Sequence, residues 1–168
     1  GNPGDIITSV HFGVSTVISK LEDLDPTTRQ YWTEEDFKEL EVAKTFAELR
    51  LVAQRVILRM PRPIVQVCGP ISTGGLGNVP DNLQIFQSYI ERLQKRGIHV
   101  FNQMPFEGPM GRIKLAQTDR SGEKGILYDF YLPLFNSGLI SKLYFMPNWY
   151  DSIGASWELA QAVRLQIP

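Results

Sequence analysis

Residues 64–101 read IVQVCGPISTGGLGNVPDNLQIFQSYIERLQKRGIHVF. The stretch begins with a short apolar run, Ile64 to Cys68, that is typical of a buried strand, and it continues into a glycine-rich loop, Gly69 to Asn78. A helix capped at position 81 or 82 follows, with apolar residues three and four apart, and then a second strand, Ile98 to Phe101. A strand, a helix and a strand in this order predict two parallel strands joined by a crossover helix.

The chain after this unit continues the same alternation. Residues 126–136 have a helical pattern, residues 139–146 the pattern of a third strand, and residues 153–165 that of a third helix. Residues 103–124 combine glycine, proline and charges without a period, which favours an active-site loop. We therefore expect an α/β domain over residues 63–168, with a doubly wound parallel sheet of the flavodoxin or Rossmann kind.

An N-terminal helical extension, residues 1–62, precedes this domain. Thr33 with three acids after it is typical of a helix start, and an apolar stripe from Val42 to Met60 predicts one long amphipathic helix that ends at Pro61. The stripe can cover the core of the α/β domain, or it can form a dimer interface. We favour the first interpretation, because an amphipathic helix usually faces the core of its own protein.

Composition disfavours several classes of protein. The net charge is -1, so the chain lacks the basic field that binding to a nucleic-acid backbone requires. Its one cysteine, Cys68, cannot form an internal disulfide, which favours a reducing compartment and hence the cytoplasm. Two histidines and one cysteine do not complete a conventional zinc set, and we predict neither a metal nor a cofactor. No apolar run reaches the roughly 18 residues of a membrane span, so we expect no membrane partner.

Ligands of open parallel sheets bind beyond the carboxyl ends of the strands. Those ends correspond here to residues 69–78, 102–107 and 147–152. The first segment offers backbone N–H groups and hydroxyls to an anion, but it has neither the lysine of a P-loop nor the glycine spacing of a dinucleotide site. It can equally be an ordinary tight turn.

The segment from Asp151 to Glu158 is the more informative one. Asp151 or Ser152 can cap a helix whose first turns carry small residues, and the N–H groups of that helix start favour a phosphate. Glu158 points from the second turn toward the same crevice. An acid beside an anion site indicates catalysis, although a solvated surface position is the commoner place for a glutamate.

Two motifs stand out in these segments, Cys68-Gly69-Pro70-Ile71 with Gly74-Gly75, and Ser152-x-Gly154-x-x-x-Glu158-Leu159-x-x-Ala162. In residues, order and separation they resemble the nucleoside 2-deoxyribosyltransferase superfamily. Its members include transferases that exchange bases on deoxyribose and hydrolases of 2′-deoxynucleoside 5′-phosphates. The stretch from Pro147 to Ala155 looks most like an uncharacterised branch, and the resemblance covers residues 64–168.

The resemblance implies a role for each matched residue. Glu158 corresponds to the nucleophile that attacks the anomeric carbon, and Asp129 to the acid that protonates the departing base. The implied substrate contacts are Gly69, Pro70, Ile71, Ser72, Gly74, Gly75, Ser152 and Gly154, with Ser152 at a 5′-phosphate. Gln66 replaces the tyrosine that steadies the nucleophile in characterised members, and residues 167 and 168 fall where the family continues into a further strand. Family sites are completed across subunits, which implies a homo-oligomer.

We therefore predict an enzyme that cleaves or transfers the N-glycosidic bond of a nucleoside or nucleoside 5′-phosphate. Its partner is this small molecule and not a nucleic acid. Two alternatives remain open. The chain can be a catalytically silent nucleotide-binding module, which Gln66 favours, or an interaction protein that assembles through its amphipathic helix.

Overall fold

The computed structural model describes residues 18–71, 79–117, 122–147 and 149–168. Within this part of the chain the structure is mixed α/β, with a small open sheet of parallel strands. The sheet has three described strands in the order β2-β1-β3, namely β1 (Ile64–Cys68), β2 (His99–Val100) and β3 (Lys142–Phe145). The predicted α/β class and the parallel pairing of the strands are confirmed. Three described strands do not establish the finer prediction, a doubly wound sheet.

Helices surround the sheet, and those predicted after β1, before β3 and after β3 are present. In chain order they are α1 (Pro26–Arg29), α2 (Glu34–Val42), α3 (Phe46–Arg59), α4 (Val79–Lys95), α5 (Glu107–Ala116), α6 (Gly122–Gly125), a π-helical turn (Ile126–Tyr131), α7 (Leu132–Asn136) and α8 (Ile153–Leu165). Residues 122–136 are thus one helical segment with a π-helical turn in its middle. Such turns are frequent at functional sites.

The apolar stripe of the N-terminal extension is divided between two helices, so the prediction of one long helix is wrong. α2 ends at Val42, whose side chain is 71% exposed, and α3 begins at Phe46. Thr45 is the N-cap of α3: its hydroxyl accepts a hydrogen bond from the Glu48 N–H at 3.1 Å, and the Glu48 carboxylate accepts one from the Lys44 N–H at 3.1 Å. This reciprocal capping starts a new helix in the middle of a continuous apolar pattern.

The prediction of a loop at residues 103–124 is also wrong, because most of the described residues in this range are helical. Met104–Phe106 form a 3₁₀ turn, and α5 and α6 follow. Met110 and Ile113 form the buried face of α5. Glycine and proline at positions 108, 109 and 111 interrupt the sequence pattern that this face would otherwise produce.

Helix α3 packs on the same core as the sheet. Leu49, Val52 and Val56 on its inner face are buried in one hydrophobic cluster with Ile64 of β1 and Phe106. The inner face of the stripe therefore covers the core of its own chain. No helix in the described ranges has the length and apolar content needed to cross a membrane.

Arg112 fixes α5 against the N-terminal helices. Its guanidinium donates to the main-chain carbonyls of Leu40 and Ala43, at 2.8 and 2.7 Å. Carbonyls at the end of a helix lack partners within the helix, so Arg112 caps α2 while it orients α5. The residues that begin α5 are thereby held in a defined position beside the sheet.

Candidate active site

A cavity of about 490 Å³ opens beyond the carboxyl ends of the strands. Small-molecule sites in proteins usually measure roughly 300 to 1,000 Å³. Its walls come from the segments after β1 and β2, from α4 and α5, from the π-helical turn and from the start of α8. The polar lining includes Gln103, Glu107, Tyr131, Ser152 and Glu158.

Glu158 is held in place by α8 and by two side chains of β1. Ser152 caps the helix, since its hydroxyl accepts a hydrogen bond from the Ala155 N–H at 3.1 Å. Gln66 and Cys68 share one face of β1, because side chains alternate along a strand. The Gln66 Nε2 donates to the Glu158 Oε2 at 2.6 Å, and the Cys68 thiol is hydrogen-bonded to the same carboxyl group. With 7% of its surface exposed, Glu158 is a buried and oriented acid.

Burial raises the pKa of Glu158 to about 8. The hydrogen bonds from Cys68 and Gln66 lower this pKa without outweighing burial, and the negative charge of Glu107 raises it further. Glu158 is therefore mostly a neutral carboxylic acid at pH 7. Burial, and after it the charge of Glu158, raises the pKa of the Cys68 thiol, which accordingly keeps the proton that it donates.

A second carboxyl group and a phenol face the same cavity. Glu107 is the first residue of α5, and Tyr131 is the last residue of the π-helical turn. Burial raises the pKa of Tyr131, and the charges of Glu107 and Glu158 raise it further. The phenol is also hydrogen-bonded to Gln103. These groups form one electrostatically connected cluster with Glu158.

Three members of this cluster are not predicted by the sequence motifs, namely Gln103, Glu107 and Tyr131. Two of them could have been found, because Gln103 and Glu107 lie in the segment 102–107 that follows a predicted strand. That segment lies at a predicted strand end, although neither motif includes its residues. Tyr131 gave no comparable indication in the sequence.

The cavity brings together five of the residues that the motifs singled out, namely Gly69, Ile71, Ser152, Gly154 and Glu158. Pro70 is buried next to Gly69 but does not line the cavity. Ser72, Gly74 and Gly75 lie outside the described residues.

Asp129 is the predicted catalytic residue that the structure does not bring into the cavity. Its side chain is exposed, and it is absent from the lining. Leu127 and Tyr131 of the same turn do line the cavity. Asp129 lies midway between these two residues in the π-helical turn, and its side chain is on the exposed side of that turn.

Gly69 follows β1 and lines the cavity. A Cβ atom at this position would lie 2.4 Å from the Met146 Sδ and 3.1 Å from the Met146 Cβ. Met146 is itself buried, so it has little room to withdraw. Packing against the residue after β3 therefore explains the glycine.

The raised pKa of Glu158 predicts that the folded protein loses stability as the pH rises. Between the ordinary pKa of 4.5 and the folded value of about 8, the folded state holds a proton that the unfolded state has released. This stabilisation is complete below the lower value, and it should fall by about 1 kcal/mol per pH unit across the window. Urea unfolding of the parent protein and of Glu158→Gln between pH 5 and 8 measures the effect. The variant should lack this part of the slope, and equal slopes would contradict a buried acid.

Two carboxyl groups, one of them neutral at pH 7, with a phenol and an amide beside them, can carry acid–base and nucleophilic chemistry on a small ligand. Among the residues that the structure describes, no group of three or more histidine, cysteine, aspartate or glutamate side chains could hold a metal ion. Comparisons of the chain with family models, with curated proteins and with solved structures found no match.

Proposed function

We propose that the cavity binds a nucleoside or nucleoside 5′-phosphate and that the protein cleaves or transfers its N-glycosidic bond. The observation that carries the proposal is the buried carboxyl group of Glu158, oriented by Gln66 and Cys68 in a cavity of suitable size. A second carboxyl group, Glu107, lines the same cavity. A pair of carboxyl groups is the usual machinery for breaking glycosidic bonds.

In the first step the ionised Glu158 attacks the anomeric carbon of the sugar. A carbon–oxygen bond forms, the carbon–nitrogen bond to the base breaks, and the base leaves with the bonding electron pair and takes a proton from an acid. Water then attacks the glycosyl ester and releases the sugar, or a second base attacks and is transferred. We place hydrolysis ahead of transfer, because serine at position 152 is what the resemblance implies for nucleotide hydrolases.

Gln66 is compatible with this chemistry although it is not a tyrosine. Its amide N–H makes the hydrogen bond to Glu158 that a phenol would otherwise supply. A donor on the nucleophile holds one carboxyl oxygen in place and favours the ionised form. Glutamine in place of tyrosine at position 66 is therefore weaker evidence against catalysis than it is in the sequence alone.

Glu107 is better placed than Asp129 to protonate the departing base. It lines the cavity, whereas the side chain of Asp129 is exposed and lies outside it. The negative charge of Glu107 raises the pKa of Glu158, which is itself mostly neutral at pH 7 and so carries a proton. The reaction also needs one proton, on the acid. We place the transfer of this proton from Glu158 to Glu107 at the point where positive charge grows on the sugar and stabilises the ionised nucleophile.

The remainder of the cavity suits the other parts of a nucleotide. The start of α8, with Ser152 and Gly154, favours a 5′-phosphate, and Lys114 adds a positive charge to the lining. Phe86 and Met110 contribute apolar wall against which a base can pack.

Self-association is part of the proposal, since the resemblance implies sites that are completed across subunits. The outer surface of α2 and α3 exposes Val42, Leu51 and Leu58, at 71%, 52% and 66%. Leu51 and Leu58 are seven residues apart on one helix and therefore share a face. A clean monomer by light scattering at tens of micromolar would remove this part of the proposal.

Incubation with a panel of nucleosides and 5′-nucleotides, with chromatographic detection of free base, tests the proposed function. We expect base release, faster from 5′-phosphates than from nucleosides. Binding without release from any substrate would favour the silent nucleotide-binding module, which the neutral state of Glu158 at pH 7 also favours. A protein that neither binds nor cleaves any member of the panel would contradict both.

A further inference from the structure

The contact between Gln66 and Glu158 is buried and short. Both side chains are buried, and 2.6 Å separate the Gln66 Nε2 from the Glu158 Oε2. Hydrogen bonds donated by N–H groups to oxygen usually measure roughly 2.7 to 3.2 Å, whereas those donated by O–H groups measure roughly 2.5 to 3.0 Å. The spacing therefore also suits a bond in which Glu158 donates and an oxygen of Gln66 accepts.

The protonated form of Glu158 lacks a described acceptor for its proton. Its described partners, the Gln66 Nε2 and the Cys68 thiol, both donate to the carboxyl group. Buried polar groups are rarely left unpaired, so the proton of the neutral acid needs an acceptor nearby. The Gln66 Oε1 is buried without a hydrogen-bond partner among the described residues. An acceptor without a donor thus lies on the side chain that already contacts the acid.

A half-turn of the Gln66 amide brings the acid and this acceptor together. The nitrogen and the oxygen of an amide occupy nearly equivalent positions, so rotation about the Cγ–Cδ bond exchanges them. One of the two amide atoms is unpaired in either orientation, but only the turned amide accepts the proton of the neutral acid. After ionisation the turned amide would place two oxygens together without a proton between them. Each form of Glu158 therefore favours a different orientation of Gln66.

We propose that the Gln66 amide turns with the protonation state of Glu158: its Oε1 accepts a hydrogen bond from the neutral acid, and its Nε2 donates to the carboxylate. Gln66 is then a positioning residue that holds Glu158 in place in both forms. A side chain that could only donate would not pair with the proton of the acid. The role of Gln66 in holding a nucleophile rests on the proposed function, whereas the turn itself does not.

The titratable groups around Glu158 allow the turn to be observed. Those that bond to it or line the same cavity are Cys68 of β1, Glu107 and Lys114 of α5, and Tyr131 of the π-helical turn. Burial raises the pKa of Cys68 and of Tyr131 well above their ordinary values, so both stay mostly neutral at about pH 9. Glu158, with a pKa of about 8, is mostly protonated at about pH 6 and mostly ionised at about pH 9.

Nuclear magnetic resonance of the parent protein tests the turn without a substrate. We would record nuclear Overhauser effects from the Gln66 amide protons to the Glu158 side chain at these two pH values. The effects should be severalfold stronger at the higher pH, where the nitrogen faces Glu158. The Gln103 amide is the control in the same spectra, because its Nε2 donates to the Val67 carbonyl at 3.1 Å and cannot turn without losing this bond. Effects of equal strength at both pH values would overturn the inference and leave the proposed function intact.

Gln66→Met tests the positioning role, since methionine neither donates nor accepts in this contact. Gln66 does not line the cavity. The variant should therefore lower kcat for base release by about 10-fold or more and change KM by less than about threefold. Gln161→Met, the same substitution on α8 outside the cavity, should change neither. An unchanged kcat would overturn the positioning role. No base release by the folded parent protein would overturn that role together with the proposed function, while the resonance measurement still decides whether the amide turns.

Discussion

Replacement of Glu158 by glutamine is expected to lower base release by about 10⁴-fold or more and to change nucleotide affinity by less than about threefold. Glutamine preserves the shape of the side chain and can still accept the hydrogen bond from Gln66. Its neutral amide, however, cannot attack the anomeric carbon and form the glycosyl ester. Single-turnover assays measure base release, and calorimetry measures the affinity.

Glu91→Gln provides the matched control for this experiment. Glu91 is an exposed residue of α4 that accepts a hydrogen bond from Gln87 and does not line the cavity. Its replacement should change neither release nor affinity. If Glu158→Gln releases base as fast as the parent protein, Glu158 is not the nucleophile. If it loses affinity and release together, Glu158 holds the ligand, as the silent module requires.

The sequence predicts this site well where the determinants are local. α8 runs from Ile153 to Leu165, as its pattern predicted, because Ser152 caps it and small residues begin it. β1 has the predicted bounds, Ile64–Cys68, because its apolar run ends at a glycine. A capped helix and a strand that meet at the carboxyl edge of one sheet suffice to place Glu158 near Gly69.

The sequence fails where the orientation of a side chain depends on irregular backbone. The resemblance implies Asp129 as the acid, because Asp129 lies on the helix before the third strand, where the family places this residue. The residues around it form a π-helical turn, in which the usual spacing of 3.6 residues does not tell which side chain faces the cavity. Glu107 could not be predicted for a different reason: the glycine and proline residues of its helix give the sequence the pattern of a loop.

Replacement of Glu107 by glutamine is expected to slow the release of ordinary bases by about 100-fold or more, because these bases need a proton in order to leave. The same variant should cleave a nitrophenyl glycoside of the same sugar almost as fast as the parent protein, since nitrophenolate departs without an acid. Asp129→Asn is the matched control, and with its exposed side chain it should affect neither substrate. If Asp129→Asn shows this contrast and Glu107→Gln does not, the acid is Asp129.

The pH dependence of the parent protein tests the same assignment without a substitution. Loss of the proton from Glu158, near pH 8, leaves no proton to pass to Glu107 and on to the base. The kcat/KM for a nucleoside should therefore fall above about pH 8, as the folded pKa of Glu158 requires. The kcat/KM for the nitrophenyl glycoside should rise through the same pH, because that reaction needs only the ionised nucleophile. Two profiles that move in parallel would show that one carboxyl group, and not a pair sharing a proton, controls the reaction.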